Sequence, residues 1–184
     1  MTGPWYLQHA ARLIRAGALV AYPTEAVYGL GCDPANEDAV MRLLLVKQRP
    51  LHKGLILLGA DFDQLSPWVQ LSAGQQQRLA RDWPVGVTYL IQASPRVPDW
   101  IRGRHHKVAV RVSGHPLATA LARLAGTPLV STSANLSGRP ALRNLFQVGR
   151  QLGAQVDLIV PGQCNISRSP STIIDLDTGL TVRP

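Results

Sequence analysis

Short apolar runs alternate with stretches of helical spacing along the whole of this chain, and that alternation restricts the fold more than any other feature. Residues 18–22 are an apolar run halted by Pro23, and 54–58, 86–91, 107–112, 128–130 and 156–160 read the same way, as strands. Helical patterns lie between them. Leu7, Ala10, Ala11 and Ile14 recur at helical spacing before Gly17, a helix with a glycine end. The stretch through Gly29 and Gly31 reads as a glycine-rich turn. Asn36 then caps a helix whose core face is Ala39, Val40, Leu43, Leu44 and Val46, and Pro50 stops it. Further helices are expected over 63–69, over 72–83 behind a Ser72 cap, over 116–124 and near 144–152. Two closing strands, 171–176 and 180–183, flank Asp177-Thr178-Gly179, a turn signal. Strands and helices interleaved in this manner predict an α/β fold. A length of 184 residues with 46% apolar content suits one domain spanning 1–184.

Several classes are excluded by composition. No apolar run approaches the ~20 residues a membrane-spanning helix needs, and His9, Arg12 and Arg15 interrupt the N-terminal stretch, so a soluble, cytoplasmic protein with no membrane partner is expected. Cys32 and Cys164 make neither a disulfide framework nor a zinc spacing, and the histidines show no ligand pattern, so no metal site is expected. The formal charge of +8 is concentrated: between Asp99 and Asp157 there are eight Lys and Arg residues and no acid. A field of one sign draws in anions such as nucleotides or an RNA backbone. The alternative is that these residues solvate helix faces.

Lys47-Gln48-Arg49-Pro50 is the sharpest local signal. Two cations one residue apart at the end of a helix form an anion clamp, with Lys53 and Lys107 in further segments suspected of the same role. Far downstream, Ser131-Thr132-Ser133-Ala134-Asn135 at the end of an apolar strand supplies the neutral donors that a phosphate also accepts. Each element has a plainer reading: cations are favoured at a helix C-terminus, and Ser and Asn bond their own backbone in turns. Together they suggest a nucleotide site. No Walker phosphate loop, nucleophile elbow, His-Glu-x-x-His or kinase set is present. An adenylate-forming step needs none of these, because a substrate carboxylate can attack the α-phosphate of ATP itself.

Five blocks in order, Tyr22-Pro23-Thr24-Glu25-Ala26-Val27-Tyr28-Gly29-Leu30-Gly31, Lys47-x-Arg49-Pro50, Val108-Ala109-Val110-Arg111-Val112, Ser133-Ala134-Asn135-x-Ser137-Gly138 and Ser171-Thr172-Ile173-Ile174-Asp175, resemble the YrdC/Sua5 family in its short bacterial, TsaC-type form. The resemblance implies a twisted mixed sheet flanked by helices with a large basic concave cavity. It also implies L-threonylcarbamoyladenylate synthase activity, a nucleotidyl transfer in which L-threonine, bicarbonate and ATP give threonylcarbamoyl-AMP and pyrophosphate for the t6A modification at position 37 of ANN-decoding tRNAs. ATP enters as substrate with Mg²⁺ carried by its phosphates, and no tightly bound cofactor is implied. The implied partners are tRNA or double-stranded RNA and a downstream threonylcarbamoyl transferase machinery.

By the same resemblance, Lys47 and Arg49 are catalytic and, with Lys53, Ser133 and Asn135, bind ATP. Thr24, Tyr28, Arg111, Ser131 and Ser171 bind threonine, Arg111 through its carboxylate. Tyr28 could equally be core, and Arg111 could hold an acid such as Asp175. Glu25 is read as orienting local donors. Where the family commonly has Pro-Gly-Pro-x-Thr, this chain has Pro84-Val85-Gly86-Val87-Thr88, which leaves Thr88 without an assigned role. The competing functions are a non-catalytic structured-RNA-binding factor in RNA or ribosome maturation, and carbamoyl adenylation as in hydrogenase-maturation proteins.

Overall fold

A computed structural model describes residues 3–84, 86–165, 167 and 169–183; Val85, in the altered turn, lies outside the described residues. Helix α1 (Pro4–Arg15) leads into a hairpin of β1 (Val20–Pro23) and β2 (Tyr28–Gly31). Then follow α2 (Glu37–Lys47), β3 (Ile56–Gly59), α3 (Phe62–Leu65), α4 (Ala73–Asp82), β4 (Val87–Gln92), α5 (Asp99–Arg102) and β5 (Lys107–Val112). The chain continues through α6 (Pro116–Ala125), β6 (Leu129–Ser133), α7 (Leu145–Leu152), β7 (Leu158–Ile159), β8 (Thr172–Asp175) and β9 (Thr181–Arg183).

The strands join in one nine-stranded sheet, ordered β7-β1-β2-β6-β3-β5-β4-β8-β9. Pairing is mixed: β7 with β1, β3 with β5 and β4 with β8 are parallel, and the other neighbours are antiparallel. Local chemistry sets several helix starts. Asn36 and Asn144 each accept a backbone N–H three residues on, and Ser72 with Gln75 completes a capping box.

One expectation fails here: residues 28–31 are not a turn but a buried strand. Residues 99–102, for which no element was expected, form a short helix that buries Ile101. The glycines of β2 are packing residues. A Cβ on Gly31 would stand 2.3 Å from the Val130 carbonyl oxygen and 2.9 Å from the Tyr22 ring, so at this position the strand can lie close to β6 and Tyr22 only without a side chain. Gly31→Ala should therefore lower stability by about 1–3 kcal/mol, read as a shift in the urea midpoint at unchanged slope.

The sheet has two unlike faces. Strand alternation sends Leu57, Val108, Val110 and Val130 to one face, where α2, α4, α5 and α7 complete a large apolar core. On the other, Val20, Tyr22, Leu58 and Leu129 pack under α1 and α6 in a second cluster. Those two helices cover only the apolar end of that face. Its remaining positions, Ile56, Ala109, Arg111, Ser131 and Ser133, line an open cavity instead.

Candidate functional site

The cavity measures about 890 Å³, within the range of ligand sites. Its lining holds two carboxylates, Glu25 and Asp175, against eight Lys and Arg side chains. The clamp and the polar block share it: Lys47, Arg49, Lys53, Ser131, Ser133 and Asn135 all face the same hollow, joined by Thr24, Arg111 and Ser171.

Helix α2 delivers the clamp. Gln48 takes the left-handed conformation, φ 51°, and turns the chain so that Lys47 and Arg49 both reach the cavity. Lys47 is 3% exposed, and its ammonium donates to Ser133 O at 2.5 Å, Asn135 O at 2.9 Å and Asn135 Oδ1 at 3.1 Å. Burial, and then the charge of Arg49, lower its pKa to about 8. An ammonium has three N–H groups, so as placed Lys47 has no free donor for a phosphate. Buried cations need dipoles around them, and here the protein itself provides them to Lys47.

Arg49 is half-buried and uses one side of its guanidinium, Nε and Nη2, on the Gly54 carbonyl at 3.2 and 2.8 Å. Burial and the nearby Arg183 lower its pKa. Arg183 in turn donates to Ser171 O at 2.8 Å and is lowered by burial and by Arg111. Arg49, Arg183 and Arg111 thus feel one another across the cavity. No local pattern marks Arg183, an exposed residue on the edge strand β9.

The Ser-x-Asn wall is both turn and lining. Ser133 Oγ donates to Asn135 Oδ1 at 2.6 Å, and Asn135 Nδ2 donates to Arg139 O, which fixes the amide's orientation. Ser171 Oγ lies 2.8 Å from Thr88 Oγ1, a buried hydroxyl pair, which gives Thr88 a supporting place behind the lining. Thr24 donates its hydroxyl to Val27 O at 2.7 Å.

Arg111 pairs with an acid, but with Glu25 rather than Asp175. The ion pair, Nη2 to Oε2, is 2.5 Å, with side chains 11% and 15% exposed. Glu25 also accepts from Ser113 Oγ at 3.1 Å and Gly114 N at 2.8 Å. Burial pushes its carboxyl pKa up, but Arg111 and these hydrogen bonds outweigh it, and the net shift is downward. Asp175 instead binds Lys107, at 2.7 Å, together with Asp177 at 2.6 Å, so Lys107 is neutralised rather than held ready for an anion.

Tyr28 follows the second of its two readings. On β2 the alternation turns Gly29 to the cavity and Tyr28 to the opposite face, where its hydroxyl donates towards Gly162 O at 2.8 Å and Val160 O at 3.2 Å. It is core, not pocket wall. Among the described residues no group of three His, Cys, Asp or Glu side chains is placed to hold a metal ion, and no helix is long and apolar enough to cross a membrane.

Residues 12–183 match the Sua5/YciO/YrdC family, described as telomere recombination. The chain belongs to that family. Among its relatives, the threonylcarbamoyl-AMP synthase of Cellvibrio japonicus is 46% identical over 179 residues, covering 97% of this chain and 95% of that protein. The threonylcarbamoyl-AMP synthase of Stutzerimonas stutzeri is 47% identical over the full length of both. Among solved structures, P. abyssi Sua5 complexed with L-threonine superposes with a TM-score of 0.89 at 36% identity over 96% of this chain. This chain spans about half of that Sua5 chain, 52%.

Proposed function

We propose that this Sua5/YciO/YrdC member is a threonylcarbamoyl-AMP synthase, joining L-threonine, bicarbonate and ATP into threonylcarbamoyl-AMP with release of pyrophosphate and water. The observation that carries the reading is the group of cations with no acid between them, Arg49 and Arg183, set beside the Ser133–Asn135 wall in one cavity. Such a group is costly without an anion to share.

In this reading the threonine amine captures bicarbonate, and the carbamate so formed attacks the α-phosphate of ATP and expels pyrophosphate. The protein aligns two anions and offsets the charge gathering on phosphorus. Arg49, with Lys53 and Arg183, meets the phosphates, and Ser133 and Asn135 meet the nucleotide. Arg111 retains donors beyond the Nη2 held by Glu25, and these receive the threonine carboxylate, with Thr24, Ser131 and Ser171 around the amino acid. Mg²⁺ arrives on the phosphates, which suits a hard cation that keeps most of its water. The product is a reactive mixed anhydride, consumed by a transferase that acts on tRNA.

Pyrophosphate release tests this. It should require threonine and bicarbonate together, and omission of either should reduce it to background. Release indifferent to threonine, or none with all three substrates, would overturn the assignment.

A further inference from the structure

We propose that Lys47 is a positioning residue: its ammonium ties the end of α2 to the Ser133–Asn135 turn and so holds in place the wall against which the nucleotide lies, without touching the nucleotide. The proposal rests on the cavity being the ATP site.

Three oxygens converge on one nitrogen. Two belong to backbone carbonyls 86 and 88 residues away in the chain, and the third is the Asn135 amide oxygen. That amide oxygen also accepts from Ser133 Oγ, and the amide nitrogen is committed to Arg139 O, so Asn135 has one orientation and Lys47 is its keystone. The backbone adds a further tie, Ser137 N donating to Lys47 O at 2.9 Å. The segment from 133 to 139 is therefore strung around a single buried cation. For Lys47 to reach a phosphate, one of these bonds must open and leave a buried oxygen without a donor. Arg49 faces no such conflict, since its hydrogen bonds to carbonyls leave Nη1 available among the described residues.

Protonation gives this role a signature. All three donors exist only in the ammonium form, and burial together with Arg49, the charged neighbour that acts on it, brings the pKa down to about 8. As pH rises through that value one donor is lost and the turn loosens, so ATP affinity falls. A guanidinium at this position titrates far higher and removes the alkaline fall.

The test is a double-mutant cycle on ATP binding, measured by calorimetry without threonine or bicarbonate. Lys47→Met and Asn135→Ala should each weaken ATP binding about tenfold, and the double variant should also lose about tenfold, because both changes release the same turn. A multiplicative loss of about a hundredfold means that the two side chains act on ATP binding independently rather than through one shared turn, and overturns the proposal. Between pH 7 and 9 the unaltered chain should lose affinity while Lys47→Arg stays flat; an alkaline fall that persists in Lys47→Arg belongs to another group and equally overturns it. If Lys47→Met does not fold, the cycle is run with Lys47→Arg, whose planar fork cannot converge on three oxygens. Failure of the unaltered chain to bind ATP removes the nucleotide reading itself, an outcome distinct from an additive cycle.

Discussion

Arg49→Ala should lower threonine-dependent pyrophosphate release by about 10²–10³-fold while the protein stays folded, because a preorganised charge removed from a developing oxyanion commonly costs that much. Arg49 is the clamp residue with a donor to spare, and among the described residues its side chain hydrogen-bonds only the carbonyls of Gly54 and Lys53. Its loss therefore leaves the core intact, and the melting temperature should move by no more than a few degrees. The measurement pairs a pyrophosphate assay with thermal unfolding. Turnover within a few-fold of normal in a folded variant would remove Arg49 from the chemistry and leave Arg183 and Lys53 to carry it.

Glu25→Ala should be the most destabilising single change near the cavity. It leaves the Arg111 guanidinium without its counter-charge at 11% side-chain exposure and takes the acceptor from Ser113 Oγ and Gly114 N as well. Breaking one partner of a buried pair costs about 3–5 kcal/mol. Denaturant unfolding checks it, and Glu25→Ala/Arg111→Met should recover part of the loss, since the stranded charge is then gone. L-Threonine should also restore stability to Glu25→Ala if its carboxylate takes the vacated place beside Arg111. A loss below about 1 kcal/mol would show the pair to behave as a solvent-screened surface contact.

The parts of this architecture written in local chemistry were legible. The caps at Asn36 and Ser72 place two helices, the apolar run at 107–112 is a strand that carries Arg111, and Asp177-Thr178-Gly179 does join the last two strands. The gathering of Lys47, Arg49, Ser133 and Asn135 around one hollow also followed from reading cations and hydroxyls as complementary anion donors.

What was hidden depends on partners distant in sequence. Two glycines in β2 mimic a turn because glycine is poor in strands, and only the Val130 carbonyl and the Tyr22 ring explain them. The side of the strand that Tyr28 occupies follows from the register of β2 against β1 and β6, which no local pattern reveals. The partners of Lys47 were hidden for a related reason: they are mostly backbone oxygens, which every residue has and no residue type announces. Arg111 and Lys107 looked alike as cations on one strand, yet each found a different acid, Glu25 for one and the Asp175-Asp177 pair for the other.

Arg183 sits on β9, the outermost strand of the sheet, whose three residues are all exposed. Its hold on the cavity runs through Ser171, on the segment leading into the neighbouring β8. Terminal strands of this kind fray long before a core opens. In the proposed function, grip on an anion can thus lapse and return at the rim while the rest of the molecule keeps its shape, making this exposed edge strand the natural place for residence time to be set.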